Sequence, residues 1–319
     1  MSRRAWLAFA AMSILWGVSY LLIKIAVDGG LPAPDVAWLR VTVAAVLLTA
    51  LAWHAGRLPA LRGRWRWLIA YAIAEISIPF PLIAAGEVHV ASSLAAIIIA
   101  SVPLIGAVLA LRFDHSERPT AIRAVGLAVG FSGVIALVGI DFAGKSQELL
   151  GAGAILLAAV GYAIGPMLVK HRLAGLDPRA LMGASLSLAA LILTPFAAVD
   201  TPSRTPTLGA FAAVAALGLL CTAAAFVIFT VLIREAGTSR ATVITYVNPL
   251  IAVGLGVALL GERPGAGAVV GLVLILAGSW LATGGNLPPL PGGLGASRRA
   301  SEGGRRPRPG RRPTRTGRA

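Results

Sequence analysis

Charge is scarce in this sequence. Only 13% of the 319 residues are Asp, Glu, Lys or Arg, where soluble domains usually carry about 25%, and the 13 acids are outnumbered by 28 Lys and Arg. A single cysteine, Cys221, excludes any intrachain disulfide. The four histidines, His54, His89, His115 and His171, fall in or beside different predicted loops without metal-ligand spacing, so no metal centre is expected. There is no HExxH and no GxSxG, and the Gly-x4-Gly-Lys-Ser match at Gly139 to Ser146 runs out of an apolar span rather than following a strand, so it is not read as a phosphate-cradling loop. ATP-driven pumping by this chain alone and those intramembrane hydrolase chemistries are thereby disfavoured, and no cofactor is expected.

Hydrophobic residues, by contrast, make up 57% of the chain, arranged in runs of about 20 residues, the length that crosses hydrocarbon as a helix. The runs are apolar on all sides, unlike the alternating strands of a membrane barrel. The expected fold is therefore all-α and membrane-integral, with ten spans near 5–27, 36–53, 67–85, 91–111, 120–139, 150–169, 180–198, 208–233, 240–260 and 266–283. The first run is too long for the apolar core of a secretory signal and no small-residue cleavage pattern follows it, so it reads as a retained helix.

The net charge of +15 suggests nucleic acid until it is located. Nine of the arginines lie in 286–319 with one acid, Glu302, in a Pro- and Gly-rich tail that is expected to be disordered and cytoplasmic. Anionic lipid headgroups would attract such a tail by about 1 kcal/mol per basic residue near the surface; nucleic acid is not an expected partner. In the loops, basic residues fall almost entirely on the side that holds both termini, which the positive-inside rule assigns to the cytoplasm.

A long stretch, 91–137, occurs twice. Ser93, Pro103 and Glu117-Arg118-Pro119 recur at Ser239, Pro249 and Glu262-Arg263-Pro264, and Gly126 and Gly133 recur at Gly271 and Gly278. The offset of 146, then 145 after a one-residue gap, also carries Lys24 onto Lys170, Trp16 onto Tyr162 and Pro32 onto Pro178. A period this long denotes a duplicated half-molecule rather than a solenoid. With five spans in each half, 5–139 and 150–283, an odd number inserts the second half upside down. Two inverted bundles can rock about a midplane site, which favours transport by alternating access.

Four residues of the first helix, Ser13, Trp16, Tyr20 and Lys24, fall on one face. Either they line an internal cavity, or the aromatics pack between helices while Lys24 snorkels to the interface. Arg40 enters the second helix near the same membrane face; it pairs with Asp28 or Asp35, or joins Lys24 in a cationic patch for a substrate carboxylate. Glu75 is the acid placed midway along the third predicted span, where charge is expensive and marks an ion pathway, a proton relay or a partnered site. On the ninth helix Thr242, Thr245, Tyr246 and Pro249 share a face with Asn248 beside them, which assigns the polar lining to the second half. Pro103 and Pro249 each remove a helical hydrogen bond and serve as kinks or hinges. Ser92 and Ser93 either cap the fourth helix or line a site, and the glycines of the fifth and tenth helices read as close packing.

Trp16-Gly17, Lys24 seven residues after that glycine, Arg40, and the serine-rich entry to a proline-containing fourth helix resemble the EamA domain of the drug/metabolite transporter superfamily. Gly261-Glu262 resembles the family's acidic loop motif in full, whereas Ser116-Glu117 lacks the glycine. The resemblance covers about 5–283 and implies ten helices in two inverted repeats that carry small metabolites in or out. The resulting expectation is a plasma-membrane secondary transporter with both termini cytoplasmic, exporting a small polar metabolite such as an amino acid. Substrate contacts would come from Trp16, Tyr20, Lys24, Arg40, Tyr162, Thr242, Thr245, Tyr246 and Asn248, with Glu75 as proton carrier. Its partners would be that small molecule and membrane lipids, with a homodimer left open. A multidrug or other solute carrier is the alternative within transport; a polytopic membrane enzyme or a non-transporting scaffold is the alternative outside it.

Overall fold

The computed structural model describes residues 2–113, 120–142, 144–202, 204–237, 241 and 243–283. Glu117-Arg118-Pro119, Ser239, Thr242 and the basic tail lie outside the described residues.

Among the described residues every regular element is helical. Eight helices are long and apolar enough to cross a membrane, and two shorter apolar helices complete a set of ten. They are the first (Arg3–Asp28), second (Ala33–His54), third (Trp65–His89), fourth (Ser92–Phe113), fifth (Ala121–Asp141), sixth (Ser146–Arg172), seventh (Pro178–Val199), eighth (Leu208–Ala236), ninth (Ile244–Leu260) and tenth (Ala266–Ala282). Polar side chains start several of them by satisfying amides that have no intrahelical partner. Ser2 accepts from Ala5, Thr120 from Arg123, Asp177 from Arg179 and Thr207 from Ala210. Gly261 ends the ninth helix in the left-handed region, φ 66°, which a side chain would oppose.

Large aliphatic side chains such as Val46, Ile135 and Leu191 point outward from these helices, as expected where the surroundings are lipid. The interior is held together largely by small residues. Gly126, Gly130 and Gly133 of the fifth helix meet Gly278 and Gly271 of the tenth; a Cβ added at Gly133 would come within 2.9 Å of the Gly271 carbonyl. Low residue numbers on one helix meet high numbers on the other, so this pair is antiparallel. Asp141, at the end of the fifth helix, completes the seam by accepting from Gly267 (3.1 Å) and Ala268 (2.7 Å) at the start of the tenth. The second and seventh helices are antiparallel in the same way: Trp38 Nε1 donates to Thr194 (3.1 Å) and Thr49 to the Gly183 carbonyl (3.1 Å). The third helix packs on the sixth, and the eighth on the first.

Three departures from the sequence reading have physical reasons. First, the third helix continues to His89, leaving only Val90 and Ala91 before the fourth; Glu87, read as loop, is therefore inside a helix and fully buried. Second, both the third and eighth helices contain a π-helical segment, Ile73–Ser77 and Leu217–Ala224. Third, the fourth helix is interrupted between Ile99 and Val102, so that Pro103 sits in the first turn of a new piece, where its missing N–H costs nothing. Ser101 stabilises the break by donating its hydroxyl to the Ile98 carbonyl (2.6 Å). Pro249, its counterpart, lies within an unbroken helix.

Candidate functional site

The π-helical segments set the chemistry, because a π turn widens the helix and re-aims side chains. In the eighth helix it presents Thr222, whose hydroxyl donates to the Leu217 carbonyl (2.9 Å) and accepts from Arg40 Nε (2.8 Å). Arg40 is 8% exposed. Its guanidinium lies over the ring of Phe80, 4.2 Å from the centroid, a cation–π contact that gains strength where water is excluded. The acid partners expected for it, Asp28 and Asp35, do not pair with it: Lys24 Nζ holds Asp28 at 3.0 Å. Among the described residues the terminal guanidinium nitrogens of Arg40 have no hydrogen-bond partner, so they are available to a ligand.

Around this cation stand aromatic rings and carboxyl groups. Tyr162 packs edge-on to Phe80, with centroids 6.4 Å apart, and lies within electrostatic reach of both Arg40 and Glu75. Tyr20 is within reach of Tyr162, Glu87 and Arg40. Glu75 sits in the π-helical segment of the third helix, against Gly165 of the sixth, where a Cβ would strike its carboxylate. Oε2 of Glu75 is buried without a hydrogen-bond partner. Tyr162 is thus within electrostatic reach of one buried cation and one buried carboxyl, a set of groups that suits a ligand carrying both signs of charge.

The remaining sequence candidates separate. Trp16 packs on Phe229 (5.2 Å) and edge-on to Phe226 (6.1 Å). Lys24 reaches inward and donates to the Glu87 backbone carbonyl at 2.8 Å while holding Asp28. On the ninth helix Tyr246 shares a hydrogen bond with Thr283 (3.0 Å). With its amide nitrogen facing carbonyls, Asn248 donates to Ile244 (2.9 Å) and Ser13 (3.3 Å), tying the ninth helix to the first. Thr245 is half-buried on the same helix, and Thr242 lies outside the described residues. The charged groups Arg40 and Glu75 belong to the first half, where the sequence also has them.

Two carboxyl groups take structural places that the sequence reading does not give them. Glu87 is wholly buried and among the described residues neither of its oxygens has a hydrogen-bond partner. Glu262, after the ninth helix, accepts from Ser92 N (2.7 Å), Ser92 Oγ (2.8 Å) and Ser93 N (2.9 Å), and so clamps the start of the fourth helix. Desolvation pushes its carboxyl up, but the hydrogen bonds from Ser93 and Ser92 outweigh this and hold it below the ordinary value of 4.5. The signals are in the sequence: Ser92-Ser93 is a capping sequence in need of an anion, and Glu262 opens the repeated Glu-Arg-Pro.

A separate groove of about 750 Å³ between the second and seventh helices is lined by Trp38, Thr42, Thr49, Ser187 and Thr194. It opens on the face of the second helix opposite Arg40, and so is distinct from the chamber.

The sequence profile of the EamA-like transporter family matches residues 3–139 and again 149–284. The chain belongs to the EamA-like transporter family. It is 31% identical over 264 residues to an uncharacterized inner membrane transporter, YedA, of Escherichia coli strain K12, covering 80% of this chain and 82% of that one. It is also 31% identical over 292 residues to a probable terminal-alkyne amino-acid exporter of Streptantibioticus cattleyicolor, covering 88% and 93% of the two chains. A solved crystal structure shares the fold with a TM-score of 0.63 over 89% of this chain and 97% of its own, at 20% identity. As a member of this family with its set of apolar helices, the protein is a multi-pass membrane protein of transporter rather than enzyme type.

Proposed function

We propose that this EamA-like protein is a secondary transporter of the plasma membrane that exports a small zwitterionic metabolite, an amino acid or a close relative, by alternating access. The observation that carries the reading is Arg40: a buried cation inside an apolar span, held by Thr222 and Phe80, with its outer nitrogens free. Intramembrane charge of this kind is costly and is retained where it lines a substrate path. A substrate carboxylate on Arg40 and an ammonium toward Glu75 would place the molecule beside Tyr162 and Tyr20. The relative named as a probable amino-acid exporter supports the same class.

Alternating access is supported by how the halves meet. Corresponding helices, second with seventh and fifth with tenth, run antiparallel, as inverted repeats 5–139 and 150–283 require. The offset of 146 carries Trp16 onto Tyr162 and Phe80 onto Phe226, so each edge-on aromatic pair is the image of the other, at 6.1 and 6.4 Å. Both π-helical segments fall at corresponding places. The loop charge pattern supports cytoplasmic termini. On this reading Glu75, next to the substrate, carries a proton in exchange.

Reconstituted full-length protein, tested with an isotope-labelled mixture of the protein amino acids, should accumulate some of them under a pH gradient. Glu75→Gln should keep exchange and lose the gradient dependence. Labelled amino acids that never cross would sink the substrate class, and a Glu75→Gln variant with normal gradient dependence would remove the relay.

A further inference from the structure

Glu87 is an ionisable group in the described structure that the substrate chamber does not use and that packing does not explain. It is fully buried, both carboxyl oxygens are without a hydrogen bond, and an ammonium is at hand. Yet Lys24 Nζ bonds the backbone carbonyl of Glu87 at 2.8 Å and the carboxylate of Asp28 at 3.0 Å, not the Glu87 side chain. An ionised carboxylate beside a free-swinging ammonium would take it, since an uncompensated buried charge costs several kcal/mol. The charges around it give the same answer. The groups that act on Glu87 are Lys24 and Asp28 from the first helix, Arg40 from the second, Glu262 from the loop after the ninth, and the Tyr20 hydroxyl. Two cations already balance two anions, so an ionised Glu87 would leave one negative charge in excess.

We infer that Glu87 is a proton-binding site in its own right and that Lys24 is its switch, moving between Asp28 when Glu87 holds its proton and the Glu87 carboxylate when it does not. The proton leaves Glu87 for water on the aqueous face bordered by Asp28, whose side chain is 57% exposed. Lys24 then turns inward and Asp28 is left to solvent. An ionised Glu87 also faces the ionised Glu262, and like-charge repulsion loosens the clamp that Glu262 holds on Ser92 and Ser93. Loss of one proton thereby weakens the contact joining the two halves at this end of the fourth helix, which couples the proton to the opening of that face. The coupling to opening rests on the transporter reading above; the protonation of Glu87 does not.

The two are separated by an experiment with two readouts on the full-length protein in lipid vesicles. Infrared difference spectra across a pH titration should show a protonated-carboxyl stretch that Glu87→Gln removes and that remains in Glu75→Gln. Lys24→Met, which removes the balancing cation, should shift the loss of that band to higher pH. A band untouched by Glu87→Gln overturns the site. Should that variant fail to fold, an unchanged titration in Lys24→Met overturns it instead. In the transport arm, pH-gradient-driven accumulation of the labelled amino-acid mixture should be lost in Glu87→Gln while exchange at equal pH persists; undiminished accumulation overturns the coupling. If wild type moves no label while the band behaves as stated, the amino-acid reading fails and the proton site stands.

Discussion

Where the first half of the chain carries Arg40, Glu75 and Glu87, the second half, 146 residues on, carries Leu186, Cys221 and Ile233. The frame around those positions is nevertheless kept: Trp16 with Phe226 repeats as Tyr162 with Phe80, and each half widens one helix into a π turn. The two family-matched halves, 3–139 and 149–284, keep these helices and rings in step, while Arg40, Glu75 and Glu87 have no charged counterpart. That division has a physical basis. On the proposed alternating-access reading, exchange between two openings benefits from nearly equal energies for two mirrored shapes, whereas binding an asymmetric molecule requires an asymmetric set of charges, each of them expensive to bury.

The strongest way to break the comparison is to copy the second half into the first. Arg40→Leu installs the residue found at the corresponding position and removes a charge-assisted contact, for which about 1.5–3 kcal/mol, roughly ten- to a hundredfold in affinity, is expected. Uptake of labelled amino acids into vesicles should fall by that factor while the melting temperature changes little. Equal uptake would mean that the charge asymmetry has no part in recognition.

The frame should respond in the opposite way. At Gly278 a Cβ would land on the backbone of Gly130, and backbone cannot turn aside. Gly278→Leu should therefore cost about 1–3 kcal/mol or more of stability by overpacking, read as a lowered melting temperature in detergent, with the relative preference among substrates unchanged.

Much of this frame was legible in the sequence, because lipid leaves little choice: apolar runs of spanning length must be helices, and small residues at helical spacing must be seams. Arg40 and Glu75 were legible as charges out of place. The interruption of the fourth helix was not, since Pro103 and Pro249 look alike from their neighbours. The difference rests on Ser101, whose hydroxyl bonds the Ile98 carbonyl, where Val247 stands in the second half. Glu87 was hidden by one turn of helix, and nothing in the sequence shows that Tyr246 bonds Thr283 or that Asn248 bonds helix carbonyls.

Glu262 sharpens the comparison at the contact between halves. Glu262→Ala removes the cap from Ser92 and Ser93 and should cost about 0.5–2 kcal/mol, seen as faster hydrogen exchange at the start of the fourth helix. Its pH dependence has a definite sign. The folded carboxyl lies below its ordinary value of 4.5, so the stabilisation is fully present above the ordinary carboxylate range and is lost as pH falls through the lowered folded value. Stability of wild type and Glu262→Ala should converge only in strong acid; convergence near neutral pH would show that the clamp is not ionic.

The smallest effect belongs to a swap of the mirrored aromatics. Trp16 packs on Phe226 and Phe229, so Trp16→Tyr trades one ring for another in a packing role, at a cost expected to stay below about 1.5 kcal/mol. Tyr162 packs the same way on Phe80 but stands within reach of Arg40 and Glu75. Tyr162→Trp should be equally mild for stability and measurably worse for substrate affinity, because the larger indole fills space beside Arg40 and has no oxygen with which to accept a hydrogen bond. Stability of the two variants, followed by melting, and affinity, followed by competition for labelled uptake, should therefore separate: matched losses in the first, unmatched in the second. If both variants lose affinity alike, Trp16 also lines the substrate path, and the chamber extends into the second half's aromatic cluster rather than ending at Tyr20.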